Sequence, residues 1–272
     1  MEFDIVLPLV LFVIVVISVA SYRRFEKKAK NVLEDRKFGI REIIIMVISM
    51  GVLITVIAFS PEIAIQILFL AAYSYMLFSF VYIASNKWYL SVLPPAVFIL
   101  AYFLYPSLLV LNIFAAFFAV MISIYIGVLF SWKTTLIFAL LLTIMDIIQV
   151  IGTGFMITAA EKMVGLQLPV AVILPTFPGG KGILLGLGDI FLGGLLAIQI
   201  ALRKGQRAGI ITAASVGLGM FIFEVLIFNS LLGGFRGFPA TVVVILGWLL
   251  GMGIVRLTIK EPKSERTPNL EH

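Results

Sequence analysis

The sequence predicts an all-α integral membrane protein with nine transmembrane helices, read as a single polytopic domain over residues 1–269. Three observations carry this. Hydrophobic residues make up 62% of the 272-residue chain and charged residues only 12%, whereas soluble domains carry about 25% charged residues. Mean hydropathy is +1.17. Apolar runs near the ~20 residues that cross a bilayer recur from end to end, leaving no stretch for a separate soluble unit.

Taken in order, the spans are residues 3–21, 43–59, 63–85, 90–105, 107–130, 134–159, 182–202, 209–232 and 239–257. The first lacks the flanks of a signal peptide, because Glu2 and Asp4 precede it and no small-residue cleavage site follows. The fourth is short and holds Pro94-Pro95, which predicts a kink. In the sixth, Gly152 and Gly154 break the helix and leave 157–164 as a short interfacial segment. Residues 168–175 are then a β-branched apolar run between prolines, which suits an extended strand. Pro178-Gly179-Gly180 gives a flexible entry to the seventh span, and Pro239 suits the first turn of the ninth. Helices one to five thus occupy 1–133 and helices six to nine 134–259. Leu270-Glu271-His272 reads as a tag remnant. No internal repeat is visible.

The formal charge of +6 invites a nucleic-acid partner, but the positions of the charges argue for membrane orientation instead. Seventeen of the 20 basic residues fall on one side of the nine-span layout; Lys162, Lys181 and Arg236 fall on the other. The positive-inside rule then places the N-terminus outside and the C-terminus in the cytoplasm. Trp88 and Trp132 lie at span ends on the basic side, where interfacial aromatics belong. The compact size and short loops suit a prokaryotic source, and the expected setting is the plasma membrane of a prokaryote.

Three acids stand within spans: Asp146 in the sixth, Asp189 in the seventh and Glu224 in the eighth. A carboxylate at the bilayer centre costs about 2.5–3.5 kcal/mol on insertion scales, so each needs a reason. Asp146 lies 13 residues from Lys133 and Asp189 14 from Arg203, roughly 20 Å in each case at the helical rise. On antiparallel neighbouring spans they are therefore level. Two facing carboxyls do not readily both ionise, and one proton shared between them supplies a base for water and an acid for the leaving group. The other readings are a polar helix contact or the lining of a water-filled cavity. Gln149, one turn beyond Asp146, is a candidate to orient that carboxyl or a plain helix contact. Glu224 has no partner evident in the sequence and reads as a cavity or packing residue, with a proton path as its other reading.

The residues around the second aspartate read Leu185-Gly186-Leu187-Gly188-Asp189, and Phe238-Pro239-Ala240-Thr241 opens the ninth span. Together with an aspartate in the sixth span, this order resembles the presenilin and signal peptide peptidase family of intramembrane aspartyl proteases, with its GxGD signature and Pro-Ala-Leu element. The resemblance implies a presenilin-like fold, Asp146 and Asp189 as the catalytic pair, and membrane-spanning peptides or proteins as substrates. It further implies substrate contacts from Gly186, Leu187, Gly188, Pro239, Ala240 and Thr241, and strand pairing through the 168–175 run, with Val170 and Val172 facing the substrate. Gly186 and Gly188 would keep bulk away from Asp189, or serve close helix packing. The chain departs from the family at Met145, where Tyr is usual, at Thr241 in place of Leu, and at Gly193-Gly194 in place of Pro-Gly. Its orientation matches the signal peptide peptidase branch, which implies substrates running N-in and C-out.

Elimination agrees on the class of protease. The chain has no cysteine, and its one histidine is His272. A serine–histidine pair and a zinc HExxH site are therefore both excluded. No cofactor and no metal are expected. The competing readings are a prepilin-type peptidase, which has fewer spans, and an ion channel or proton-coupled transporter using the three acids, although transporters of this size often show an inverted repeat.

Overall fold

The computed structural model describes residues 4–33, 37–175, 182–229 and 238–259. These form ten α-helices and one two-stranded sheet: α1 (Val6–Leu33), α2 (Ile40–Phe59), α3 (Glu62–Ser85), α4 (Trp88–Leu104), α5 (Leu108–Leu129), α6 (Trp132–Ile147), α7 (Phe155–Gly165), β1 (Ala171–Pro175), β2 (Gly182–Gly186), α8 (Leu187–Lys204), α9 (Gln206–Phe228) and α10 (Ala240–Thr258). Seven of the helices are long and apolar enough to cross a membrane; α4 is shorter, at 17 residues. The α4 helix continues through Pro94 and Pro95. Lys181, Arg236 and the Pro178-Gly179-Gly180 entry lie outside the described residues.

The innermost element is α8. Every residue from Ile190 to Ala201 is buried, enclosed by α1, α5, α9, α10 and α6. In lipid there is little hydrophobic drive between helices, so close approach of small residues carries the packing. A Cβ on Gly247 would come within 2.8 Å of Val216 Cα, and one on Gly194 within 2.9 Å of Ser123 Cβ. This gives Gly194 a structural role: it lets α5 sit against α8. Helices α2, α3 and α4 line the periphery, and their outward faces display Ile45, Ile48, Ile67, Leu93 and Leu100, as lipid-facing surfaces do.

After α6 the chain makes one π-helical turn, Ile148–Gly152, and α7 then starts at Phe155 behind Gly154. Gly154 has φ +70°, a left-handed conformation that only Gly adopts without strain. The expected break in the sixth span is therefore real. Lys162 of α7 donates to the Ala58 and Ser60 carbonyls at the end of α2 (2.7 and 3.1 Å), supplying partners to a helix C-terminus. Tyr102 and Tyr73 hold the chain leading to β1, donating to the Leu166 and Pro169 carbonyls.

One expectation needs correcting. The seventh span was read from residue 182, but the helix begins at Leu187, and residues 182–186 are a strand. Gly182 and Gly186 are poor helix formers. The segment instead pairs antiparallel with β1, with Val172 opposite Leu185 and Leu174 opposite Ile183.

Candidate active site

Asp146 stands in the last turn of α6, just before the π-helical turn, and is only 4% exposed. Such turns often mark functional positions, because they re-aim side chains out of helical register. Asp189 occupies the first turn of α8. Arg203, at the far end of α8, lies over the Trp132 ring at the start of α6, 4.6 Å from its centroid. Asp146 follows Trp132 by 14 residues and Asp189 precedes Arg203 by 14, so a shared anchor about 21 Å away sets both carboxyls at one depth. Their charges are close enough to act on each other.

The start of α10 completes the group. Pro239 caps this helix, and Thr241 Oγ1 donates to Asp146 Oδ2 at 2.7 Å. Thr241 was expected among the substrate contacts. Its side chain also touches the aspartate.

Gln149 does not orient Asp146. Its Nε2 donates to the Gly51 carbonyl of α2 at 2.8 Å, tying α2 to the end of α6. Gly51 and Met145 join it in lining an open apolar groove of about 430 Å³ between these two helices. Gly186 and Gly188 do not serve helix packing. Among the described residues, a Cβ on Gly188 would meet nothing within 4 Å, and one on Gly186 would meet only Asp189 Oδ2, at 3.2 Å. Space beside the second aspartate is what these glycines provide. Gly186 ends β2 rather than sitting inside a helix, so no cost of helical glycine falls there.

The strand expected to receive substrate has no open edge at its middle. One side of β1 pairs with β2. On the other, Asn112 of α5 accepts from Ile173 N–H (2.8 Å) and donates to the Ile173 carbonyl (2.7 Å). Val172 is 1% exposed and Val170 half-buried, so Val172 in particular faces packing. Asn112 escaped the sequence reading, although a polar amide within an apolar span needs a partner and could have drawn notice. The sheet's alternation then decides where the free edge lies. Leu187 N–H bonds the Val170 carbonyl, and every second pair along the ladder does likewise. Leu184, opposite Ile173, therefore turns its N–H and C=O away from β1.

Glu224 is buried in α9 with neither carboxyl oxygen hydrogen-bonded, and the charge beside it is Asp4, just before α1. It takes no part in the Asp146–Asp189 group. Among the described residues, no three acidic, His or Cys side chains gather as a metal site.

The family described as signal-peptide peptidase, presenilin aspartyl protease matches residues 5–180, well over half of the chain. The chain belongs to this family. Signal-peptide peptidases and presenilins are aspartyl proteases of the membrane, and the apolar helices of this member make it a multi-pass membrane protein. The match takes in Asp146 and the β1 strand but ends before Asp189 and Pro239–Thr241, so for these the geometry above is the support. No curated protein matches the chain.

Proposed function

We propose that this family member is an intramembrane aspartyl endopeptidase of the GxGD type, with Asp146 and Asp189 as the catalytic pair, hydrolysing peptide bonds within transmembrane segments. One observation carries the reading. Acids on two different helices stand near enough for their charges to interact, and the open space at Gly188 and the outward edge of β2 adjoin the second of them. An extended peptide laid along β2 would gain main-chain hydrogen bonds by strand addition and run toward Asp189. Substrate contacts at Leu184, Gly186, Leu187, Gly188, Pro239 and Ala240 follow from that path. Val170 and Val172 support it from behind through β1.

The chemistry needs no cofactor. One carboxylate takes a proton from water while the other carboxyl protonates the scissile carbonyl, and both protons are redistributed as the C–N bond breaks. Purified protein reconstituted with a single-span peptide tests this directly. Asp146→Asn and Asp189→Asn are nearly isosteric but supply neither base nor exchangeable proton, so each abolishes cleavage while the protein stays folded and inserted. A single variant with near-normal turnover would remove that aspartate from the mechanism.

The membrane arrangement belongs to the same proposal. Nine crossings, with the N-terminus outside and the C-terminus cytoplasmic, agree with the basic bias of 17 against 3. In that orientation the family's mode of pairing favours substrates running N-in and C-out, cut in the outer half of a prokaryotic plasma membrane.

A further inference from the structure

We infer that Thr241 is a positioning residue that assigns the two roles in the pair: it holds Asp146 as the ionised base, leaving Asp189 as the protonated acid. The inference rests on the proposed aspartyl mechanism and adds the asymmetry that the mechanism requires.

A buried donor from Thr241 reaches Asp146. The hydroxyl contact is 2.7 Å long and buried at both ends, with Thr241 and Asp146 each 4% exposed. The hydroxyl donates to Oδ2, so that oxygen accepts and is not the one that carries a proton. Hydrogen bonds to an ionised group are about twice as strong as neutral ones, and burial from water strengthens them further. Among the described residues Asp189 receives no hydrogen bond; what reaches it is the charge of Asp146. When one proton is shared by two such carboxyls, it resides on the one without donors.

The charged groups around Asp146 leave Thr241 in control of this choice. On α8 the facing group is Asp189. On α2, Gly51 faces α6, and Glu42 is nine residues away and engaged with Gly39 N–H. On α10, Arg256 lies 15 residues beyond Thr241, about 22 Å along the helix. Glu224, on α9, has Asp4 as its neighbouring charge.

The reaction then proceeds in one direction. Asp146 carboxylate removes a proton from water, the water oxygen bonds to the scissile carbonyl carbon, and Asp189 gives its proton to the carbonyl oxygen, forming a gem-diol. Asp146 next passes its proton to the amide nitrogen as the C–N bond breaks. Asp189 recovers a proton from one hydroxyl as the carbonyl re-forms. A carboxylic acid and an amine leave, and both aspartates return to their starting states.

The decisive variant is Thr241→Val, which keeps the shape but removes the hydroxyl. In reconstituted protein kcat is expected to fall about 10- to 100-fold, the loss of one hydrogen bond to a charged group, with KM little changed. The acidic limb of the pH–rate profile should move to higher pH by about one unit, and Thr241→Ser should restore both rate and profile. A second measurement does not depend on how Val is tolerated. Infrared difference spectra of the intact pair, with labelled aspartate placed at one of the two positions at a time, should at neutral pH show the label shifting a carboxylate band when it is at Asp146 and a protonated carboxyl band when it is at Asp189. An unmoved acidic limb in Thr241→Val, a failure of Ser to restore it, or the reverse infrared pattern would overturn the assignment. If either Asp→Asn variant stays active, the catalytic pair itself is wrong. If both are dead and the Thr241→Val profile is unmoved, only this inference falls.

Discussion

Replacing Leu184 with proline isolates the contribution of substrate strand pairing. Leu184 sits opposite Ile173 in β2, and its N–H and C=O point away from β1. A proline there removes one outward donor without breaking a bond to β1, and Ile183, within a strand, already has the extended backbone that a following proline demands. Leu185 is the contrasting position. It pairs with Val172, which is 1% exposed, so proline at 185 leaves the buried Val172 carbonyl without its partner. That costs about 1–3 kcal/mol of stability. One lost hydrogen bond to substrate is worth about 0.5–1.5 kcal/mol, so Leu184→Pro should lower kcat/KM about 2- to 10-fold with the melting temperature held. Leu184→Ala corrects for the lost side chain, which is 43% exposed. The assay is cleavage of one single-span peptide by the three variants in matched liposomes, with melting followed in detergent. Strand addition along β2 is refuted if Leu184→Pro cleaves as fast as Leu184→Ala, or if its melting falls as far as that of Leu185→Pro.

Gly188→Ala should fold at least as well as the parent, because its Cβ meets nothing and Ala is favoured in a helix by about 1 kcal/mol. It should nonetheless cleave more slowly, since the methyl occupies space beside Asp189; a lower melting temperature with normal turnover would contradict this. The rate should be bell-shaped in pH, rising as the pair loses its first proton and falling as it loses the second, and a rate flat into strongly alkaline solution would exclude proton sharing. Two liposomal substrates of matched sequence and opposite orientation, used after accessibility labelling has fixed the enzyme's own topology, should show preference for the N-in peptide. Faster cleavage of the N-out peptide would reverse the proposed substrate direction.

The fold class was written in composition, because a chain with so few charges has no way to make a soluble surface, and runs of apolar residues must be helical where lipid offers the backbone no partners. The break after Asp146 was equally local: Gly154 takes a left-handed conformation, with φ +70°, that suits glycine. So was the common depth of the two acids, since a helix converts residue count into distance, and Trp132 and Arg203 mark the same end. The beginning of α8 was not legible. Residues 182–186 are apolar enough for a span, and only pairing with β1 makes them a strand. Gln149 shows the same limit from the other side, because one turn of helix from Asp146 says which residues are near but not which way an amide turns when Gly51 offers it a carbonyl. Thr241 and Asn112 depended wholly on tertiary structure. Their partners, Asp146 and Ile173, lie 95 and 61 residues away in the chain. Periodicity and propensity act over a few turns of one helix, whereas these contacts exist only once α10 meets α6 and α5 meets the sheet.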